Sequence, residues 1–227
     1  MFITSSIIFY PSLAFSQSNE SQKFQVLKKD GTERITFPFT AINQQRQNSS
    51  EYIFQDPILN NWILLINNNI SYSDNPEAKT VVQIKEPYPS EKFIEITMFG
   101  DKLKKFYIAV NTNETGYMRL YENTANGWYS DNPVVLTHAN VQGLSATNGK
   151  RTVIDNLSLD GFNIGSINVY GKDEFRLPDS ASTGSIDFEV LFGDPSKSPL
   201  YYVPLIMLVG VGGLVIYFVV SKKRSLN

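Results

Sequence analysis

The sequence predicts an all-β extracellular domain, an antiparallel β-sandwich or jelly roll, followed by one C-terminal transmembrane helix. Aromatic residues make up 13% of the 227 residues, and their side chains suit half-buried pleated surfaces. Roughly ten short apolar or alternating runs separated by turn residues are typical of such a fold. Residues 201–220 contain no charged side chain and are long enough to cross a bilayer as a helix.

Residues 1–16 predict a cleaved signal peptide. They contain a short apolar stretch, and Ala14 and Ser16 match the small-residue pattern of a cleavage site. The segment lacks the basic residues that usually begin a signal peptide. A buried N-terminal strand is therefore the alternative.

Residues 17–193 are predicted to form one β domain, because a boundary at residues 87–90 would leave two small halves. Residues 35–39 alternate between apolar and polar side chains, and Pro38 in this run indicates an edge strand. The other predicted strands are residues 62–66, 80–85, 93–99, 105–110, 117–121, 128–129, 134–138, 152–154, 162–170 and 186–192.

The C-terminal residues predict a membrane anchor. Residues 194–200 are a short stalk, residues 201–220 the transmembrane helix and residues 221–227 a cytoplasmic basic tail. A basic cluster directly after an apolar span stops transfer and marks the cytoplasmic side. This cluster consists of Lys222, Lys223 and Arg224. The predicted location is the cell membrane, crossed once, with the N-terminal domain outside and the C-terminus cytoplasmic; a buried core helix is the alternative.

Composition excludes several classes of function. Three of the 20 basic residues and none of the 22 acidic ones follow the apolar segment, so the preceding domain is acidic and nucleic acid is not expected as a partner. The absence of cysteine excludes disulfides, thiolate nucleophiles and thiolate metal sites. An extracellular domain without disulfides favours a prokaryotic cell envelope, archaeal envelopes included.

No motif indicates catalysis, and the sequence predicts neither an enzyme nor a cofactor or metal. The single histidine, His138, has no partners at the spacing of a zinc site or a catalytic triad. Residues 143–147 approach a nucleophile elbow but lack its last glycine. Oxygen ligands for calcium occur at residues 74–76, 131–133 and 155–156, but none has the spacing of a known calcium loop. Turns explain the two Asp-Asn-Pro runs better than calcium does.

Four aromatic residues predict a binding surface that would stack on a sugar or anchor a protein partner. They are Tyr117, Tyr121, Trp128 and Tyr129. The alternative is that these rings belong to the core. In the apolar segment, Gly210 and Gly213 would let a second helix approach closely. Five sequons predict possible glycosylation at Asn19, Asn48, Asn69, Asn113 and Asn156.

Taken together, these features favour a membrane-anchored extracellular binding or structural module of a prokaryotic cell envelope. Its expected partners are the lipid bilayer and an envelope protein or a glycan. Two alternatives remain open. One is a tethered glycan hydrolase that uses two carboxylates, since the chain has 22 acidic residues to choose from. The other is an accessory subunit of a membrane enzyme complex, held by the C-terminal helix.

Overall fold

The computed structural model describes residues 24–29, 32–73, 75–174 and 184–192. The predicted signal peptide, stalk, transmembrane helix and basic tail lie outside these ranges, as do Asn19, Gly210 and Gly213. Within the described ranges, no helix is both long enough and apolar enough to cross a membrane. The predicted anchor therefore stays a prediction.

The described strands form two antiparallel sheets packed face to face, which confirms the predicted antiparallel β-sandwich. The seven-stranded sheet contains, in spatial order, β1 (Gln25–Lys29), β2 (Thr32–Pro38), β13 (Ser185–Phe192), β4 (Trp62–Asn68), β9 (Val134–Ala139), β10 (Gly143–Thr147) and β11 (Thr152–Leu157). The six-stranded sheet contains β3 (Ser50–Ile58), β12 (Ile164–Lys172), β5 (Lys79–Lys85), β6 (Phe93–Phe99), β7 (Phe106–Thr112) and β8 (Gly116–Asn123). A one-turn helix, α1 (Phe39–Ile42), and a 3₁₀ turn (Arg46–Asn48) connect β2 to β3.

The core lies between the inner faces of the two sheets. Along β4, buried and partly exposed side chains alternate, and Trp62, Leu64 and Ile66 point into the core. From the facing sheet, β6 contributes Ile94 and Ile96. A strand with one buried face requires this period of two, because successive side chains point to opposite faces.

The prediction lacks strands β1, β3 and β10, and two further local features differ from it. Trp128 and Tyr129 are not in a strand but in the loop between β8 and β9. β2 is not an edge strand, since it pairs with both β1 and β13. Pro38 is tolerated there because pairing with β1 reaches only Thr36, so no β1 carbonyl faces the missing N–H of the proline.

One end of the sandwich, called here the Phe192 end, is where β13 finishes. Phe192 lies opposite Trp62 on β4, and Trp62 lies opposite His138 on β9. The loop of residues 59–61 and the turn of residues 140–142 are therefore at this end.

The loop of residues 86–92, between β5 and β6, is at the Phe192 end as well. β12 begins at Ile164, which lies opposite Ile58 at the end of β3. Two residues further on, Ser166 lies opposite Lys85, the last residue of β5. The three loops thus share one end of the molecule.

His138 connects two loops of the Phe192 end. Its side chain is fully buried, and its ring stacks on that of Trp62 with the centroids 5.5 Å apart. Its two ring nitrogens contact the carbonyl oxygens of Asn60 and Leu159. These contacts make His138 a structural residue.

Candidate binding face

The outer face of the six-stranded sheet points away from the core and bears polar and aromatic side chains. Along β5, Val82 and Ile84 point inward, so Gln83 between them points outward. Antiparallel pairing brings one outward residue from each of the six strands into register, forming a row called here the polar row. It consists of Glu51, Asn168, Gln83, Glu95, Ala109 and Arg119. At roughly 4.8 Å per strand, the row is about 24 Å long.

Glu95 is the buried carboxylate at the centre of the polar row. Gln83 donates a hydrogen bond from Nε2 to Glu95 Oε2 at 2.8 Å, and Tyr117 donates from its hydroxyl to Oε1 at 2.8 Å. The hydroxyl of Tyr170 is 3.5 Å from Oε2. Among the described residues, none forms an ion pair with Glu95. The hydrogen-bond partners of this buried carboxyl group are therefore neutral side chains.

Both tyrosines that contact Glu95 are held in their protonated form. Burial, followed by the nearby Glu95 charge, raises the pKa of Tyr170 to about 12. Burial also raises the pKa of Tyr117 well above its usual range, and the hydrogen bond to Glu95 raises it further. An ionised phenol beside a carboxylate would be repelled, so each hydroxyl remains a donor.

Two buried polar atoms of the outer face have no hydrogen-bond partner among the described residues. They are Oδ1 of Asn168 and Oγ1 of Thr97. The amide of Asn168 makes one long bond, from Nδ2 to Gln83 Oε1 at 3.4 Å. A buried polar atom without a partner typically costs about 1–3 kcal/mol. A ligand hydroxyl that donated to Asn168 Oδ1 would remove that cost.

Aromatic rings flank the polar row on both sides. Towards the Phe192 end, Tyr117 is half-exposed and its ring centroid lies 6.3 Å from that of Phe93. Towards the opposite end, the rings of Tyr107 and Phe99 are also 6.3 Å apart, and the Arg119 guanidinium lies 4.4 Å from the Tyr107 centroid. The outer face thus combines hydrogen-bonding groups with flat apolar rings.

A cavity of about 600 Å³ opens at the Phe192 end of the outer face. The loop of residues 86–92 forms one wall, and the outward side chains of β3, β5 and β12 form the floor. Asn168 and Gln83 contribute to the floor, so the cavity is continuous with the polar row. The exposed side chains of Tyr88 and Ile53 border the opening of the cavity.

Glu51 is the second carboxylate of the polar row and lines the cavity. Its Oε1 accepts hydrogen bonds from Ser166 Oγ at 2.7 Å and from Lys85 Nζ at 3.0 Å. Burial acts to raise the pKa of Glu51, but these two partners outweigh it, and the pKa lies below its usual value. Glu51 is therefore ionised at neutral pH.

The four aromatic residues predicted as one binding surface do not lie together. Tyr117 is on the outer face, whereas the Tyr121 ring packs 6.1 Å from the core ring of Phe106. Trp128 is buried and donates from Nε1 to the carbonyl of Phe99 at 2.8 Å, so its prediction as a surface residue is wrong. Tyr129 is half-buried beneath Lys150, whose Nζ lies 3.8 Å from the ring centroid.

Sequence reasoning missed the central residues Gln83, Glu95 and Asn168. Each is a single polar residue inside an apolar strand, such as Ile94-Glu95-Ile96. A single polar residue between apolar neighbours in a strand indicates that its side chain points to the outer face of the sheet and is covered there. The cross-strand register that joins the three residues cannot be read from the pattern alone.

The remaining predicted positions are distributed over the surface. The described sequon residues Asn48, Asn69, Asn113 and Asn156 are all exposed. No group of three or more histidine and acidic residues within the described ranges could hold a metal ion.

No family model and no curated protein matches the sequence. Solved structures match the fold. A family 16 endo-glucanase from Bacteroides ovatus is 13% identical, with a TM-score of 0.44, over 75% of this chain and 85% of that chain. The carbohydrate-binding module CBM66 from Bacillus subtilis is 9% identical, with a TM-score of 0.35, over 71% and 80%. The Ca²⁺/Man3GlcNAc-bound lumenal domain of VIP36 is 8% identical, with a TM-score of 0.40, over 79% and 86%.

At these identities and scores the similarity concerns the fold alone. It nevertheless corrects the prediction that the chain is not an enzyme. Several structures of matching fold are glycoside hydrolases, a prokaryotic lichenase among them. Hydrolysis by two carboxylates needs neither cysteine nor histidine, so the absence of cysteine and the single histidine do not exclude it.

Proposed function

We propose that the outer face of the six-stranded sheet binds a carbohydrate chain. The observation that supports this most is the polar row, in which Gln83, Glu95 and Asn168 are buried and linked by hydrogen bonds. Sugars offer hydroxyl groups that both donate and accept, together with apolar ring faces. The face supplies matching acceptors, donors and aromatic rings.

The shape of the site favours a chain over a single sugar. The polar row is about 24 Å long by the spacing of six strands. Aromatic rings border it on both sides, and the cavity of about 600 Å³ adjoins it. An elongated ligand can contact the whole row, with one end in the cavity.

Binding to a glycan array, followed by titration of the best ligand, tests the proposal. The full chain is used in mild detergent. Tyr117→Ala should weaken affinity by about tenfold, since loss of one aromatic contact and one hydrogen bond amounts to roughly 1.4 kcal/mol. Tyr129→Ala is the matched control, because Tyr129 lies off the outer face and should leave affinity unchanged. Equal affinity of the two variants would place the ligand elsewhere.

Hydrolysis of the bound chain is the second candidate function. Glu51 and Glu95 lie in the same register row, three strands apart, which places their backbones roughly 14 Å from each other. Glu51 contacts Lys85 on β5, and Glu95 contacts Gln83 on the same strand, so both carboxyls border side chains of β5. Cleavage of a glycosidic bond requires the two carboxyls to come within about 5–10 Å of each other.

Release of new reducing ends from the bound glycan tests this candidate. Glu95→Gln and Glu51→Gln should each abolish release, because cleavage needs one carboxyl as the acid and the other as nucleophile or base. Gln83→Ala is the control, because it alters the outer face but keeps both carboxyls, and it should not abolish release. A glycan that binds and stays intact through long incubation would leave binding as the function.

We further propose that residues 201–220 anchor the chain in a membrane, with the β domain outside the cell. The absence of charge over this segment and the basic cluster that follows support the proposal. The anchored chain should resist extraction by alkaline carbonate and float with vesicles. Complete extraction would refute the anchor.

A further inference from the structure

We infer that the Phe192 end of the sandwich rests on the lipid surface, in contact through three exposed side chains. These are Leu59, Tyr88 and Val141, called here the apolar rim. The inference builds on the anchor proposed above and is independent of carbohydrate binding. It fixes the orientation of the outer face relative to the membrane.

The apolar rim is unusually exposed. Val141 is 98% exposed, Tyr88 97% and Leu59 67%. Their three loops all lie at the Phe192 end. Exposing apolar area to water is unfavourable by about 25 cal/mol per Å², so a patch of this kind is expected to be covered by a partner.

The three loops adjoin one another. The backbone N–H of Asn140, next to Val141, donates to Asn61 Oδ1 at 3.1 Å, which joins the turn of residues 140–142 to the loop of Leu59. On the other side, the loop containing Tyr88 packs against the start of β12. Since β12 begins opposite the end of β3, which runs into Leu59, the rim is continuous.

The position of Phe192 identifies the lipid surface as the occupant. β13 finishes among the rim loops, opposite Trp62. Only eight residues, 193–200, separate Phe192 from the uncharged segment 201–220. Fully extended, eight residues span at most about 29 Å, so the Phe192 end cannot lie far from the bilayer.

The charges around the rim define the kind of lipid. Of the basic side chains at this end, Lys28 pairs with Glu33 and Lys85 pairs with Glu51. The remaining described charges at this end are Lys92 and the acidic Asp56, Glu86, Glu91, Glu114 and Asp160, so the excess is negative. Like charges repel, so an anionic surface would be disfavoured. Uncharged or zwitterionic head groups suit the rim, with Tyr88 in the interfacial position that tyrosine prefers. The contact is apolar rather than electrostatic.

This orientation has a consequence for the binding face. The cavity lies at the Phe192 end, so it opens close to the lipid head groups, and the polar row runs parallel to the membrane plane. A carbohydrate bound there would lie next to the lipid head groups.

Single-cysteine labelling tests the contact cleanly, because the chain has no native cysteine. Val141→Cys is labelled with an environment-sensitive fluorophore in the full chain, reconstituted in phosphatidylcholine vesicles that contain a doxyl-labelled lipid quencher. Leu103→Cys is the matched control, because Leu103 is a half-exposed aliphatic residue in the β6–β7 turn, at the opposite end. Both positions are exposed, so neither substitution disturbs the core.

The label at Val141 should lose most of its fluorescence to the lipid quencher, and the label at Leu103 should keep its fluorescence. Vesicle flotation of the same samples reports the anchor separately. If the chain floats but Val141 is no more quenched than Leu103, the contact is refuted and the anchor stands. If the chain does not float, both are refuted.

Discussion

Asn168 is expected to matter for ligand affinity and hardly at all for stability. It is 3% exposed, makes one hydrogen bond of 3.4 Å and leaves Oδ1 without a partner among the described residues. Asn168→Ala loses that long bond, at most about 1 kcal/mol, and also removes an unpaired buried oxygen, which offsets the loss. The free energy of unfolding should therefore change by less than about 1 kcal/mol.

Asn68→Ala is the matched control for this prediction. Asn68 is also 3% exposed, but its Nδ2 donates to the Tyr72 hydroxyl at 2.8 Å and its Oδ1 accepts from the Ile70 N–H at 3.1 Å. Losing both bonds and leaving a buried N–H unpaired should destabilise the domain by about 2–4 kcal/mol. Asn68 points away from the outer face, so glycan affinity of the folded fraction should not change.

Denaturant unfolding, followed by tryptophan fluorescence, and glycan titration measure the two quantities on the same samples. Both tryptophans, Trp62 and Trp128, are buried in the domain and report its unfolding. Asn168→Ala should reduce affinity up to about tenfold with near-native stability, since one ligand hydrogen bond is worth about 1 kcal/mol. The reasoning fails if Asn168→Ala destabilises as much as Asn68→Ala or leaves affinity unchanged.

Three further predictions concern stability. Trp128→Ala should lower the free energy of unfolding by about 3–5 kcal/mol, because Trp128 fills the core. Tyr129→Ala should lower it by less than about 1 kcal/mol, and equal losses for the two variants would contradict the burial of Trp128. His138→Ala should cost about 2–4 kcal/mol by removing a fully buried ring and its contacts with the carbonyl oxygens of Asn60 and Leu159, and native-like stability would exclude this role. Because the pKa of Glu51 is lower in the folded state, its contribution is present at neutral pH and lost as the pH falls through that pKa. The stability difference between wild type and Glu51→Gln should therefore vanish in acid; a difference that persists would contradict the lowered pKa.

The strands could be predicted because their signal is local. Alternation along β13 and the continuous apolar run of β4 both indicate strands, and the structure confirms them. The outward side chains of β4 are only partly buried. The edge strand predicted from Pro38 is wrong, because the proline is tolerated through the point at which the pairing of β1 stops, which the sequence does not reveal. Sequence patterns indicate strands, whereas strand order arises from contacts between distant segments.

The candidate site could be predicted only in part, for the same reason. Asn168 and Gln83 lie 85 positions apart in the chain and meet only because β12 pairs with β5. Tyr117 could be predicted as a binding residue because it is aromatic, and the structure places it on the outer face. Trp128 was misplaced because an aromatic residue after a turn fits a strand and a core-facing loop equally well. Its burial depends on the Phe99 carbonyl that its indole reaches.

A structure of the chain bound to its best glycan would test the central claim most directly. The account predicts sugar density along the outer face, with a hydroxyl on Asn168 Oδ1, contacts to Glu95 and a ring face against Tyr117. Density at any other surface, or a glycan array without a ligand, would contradict it.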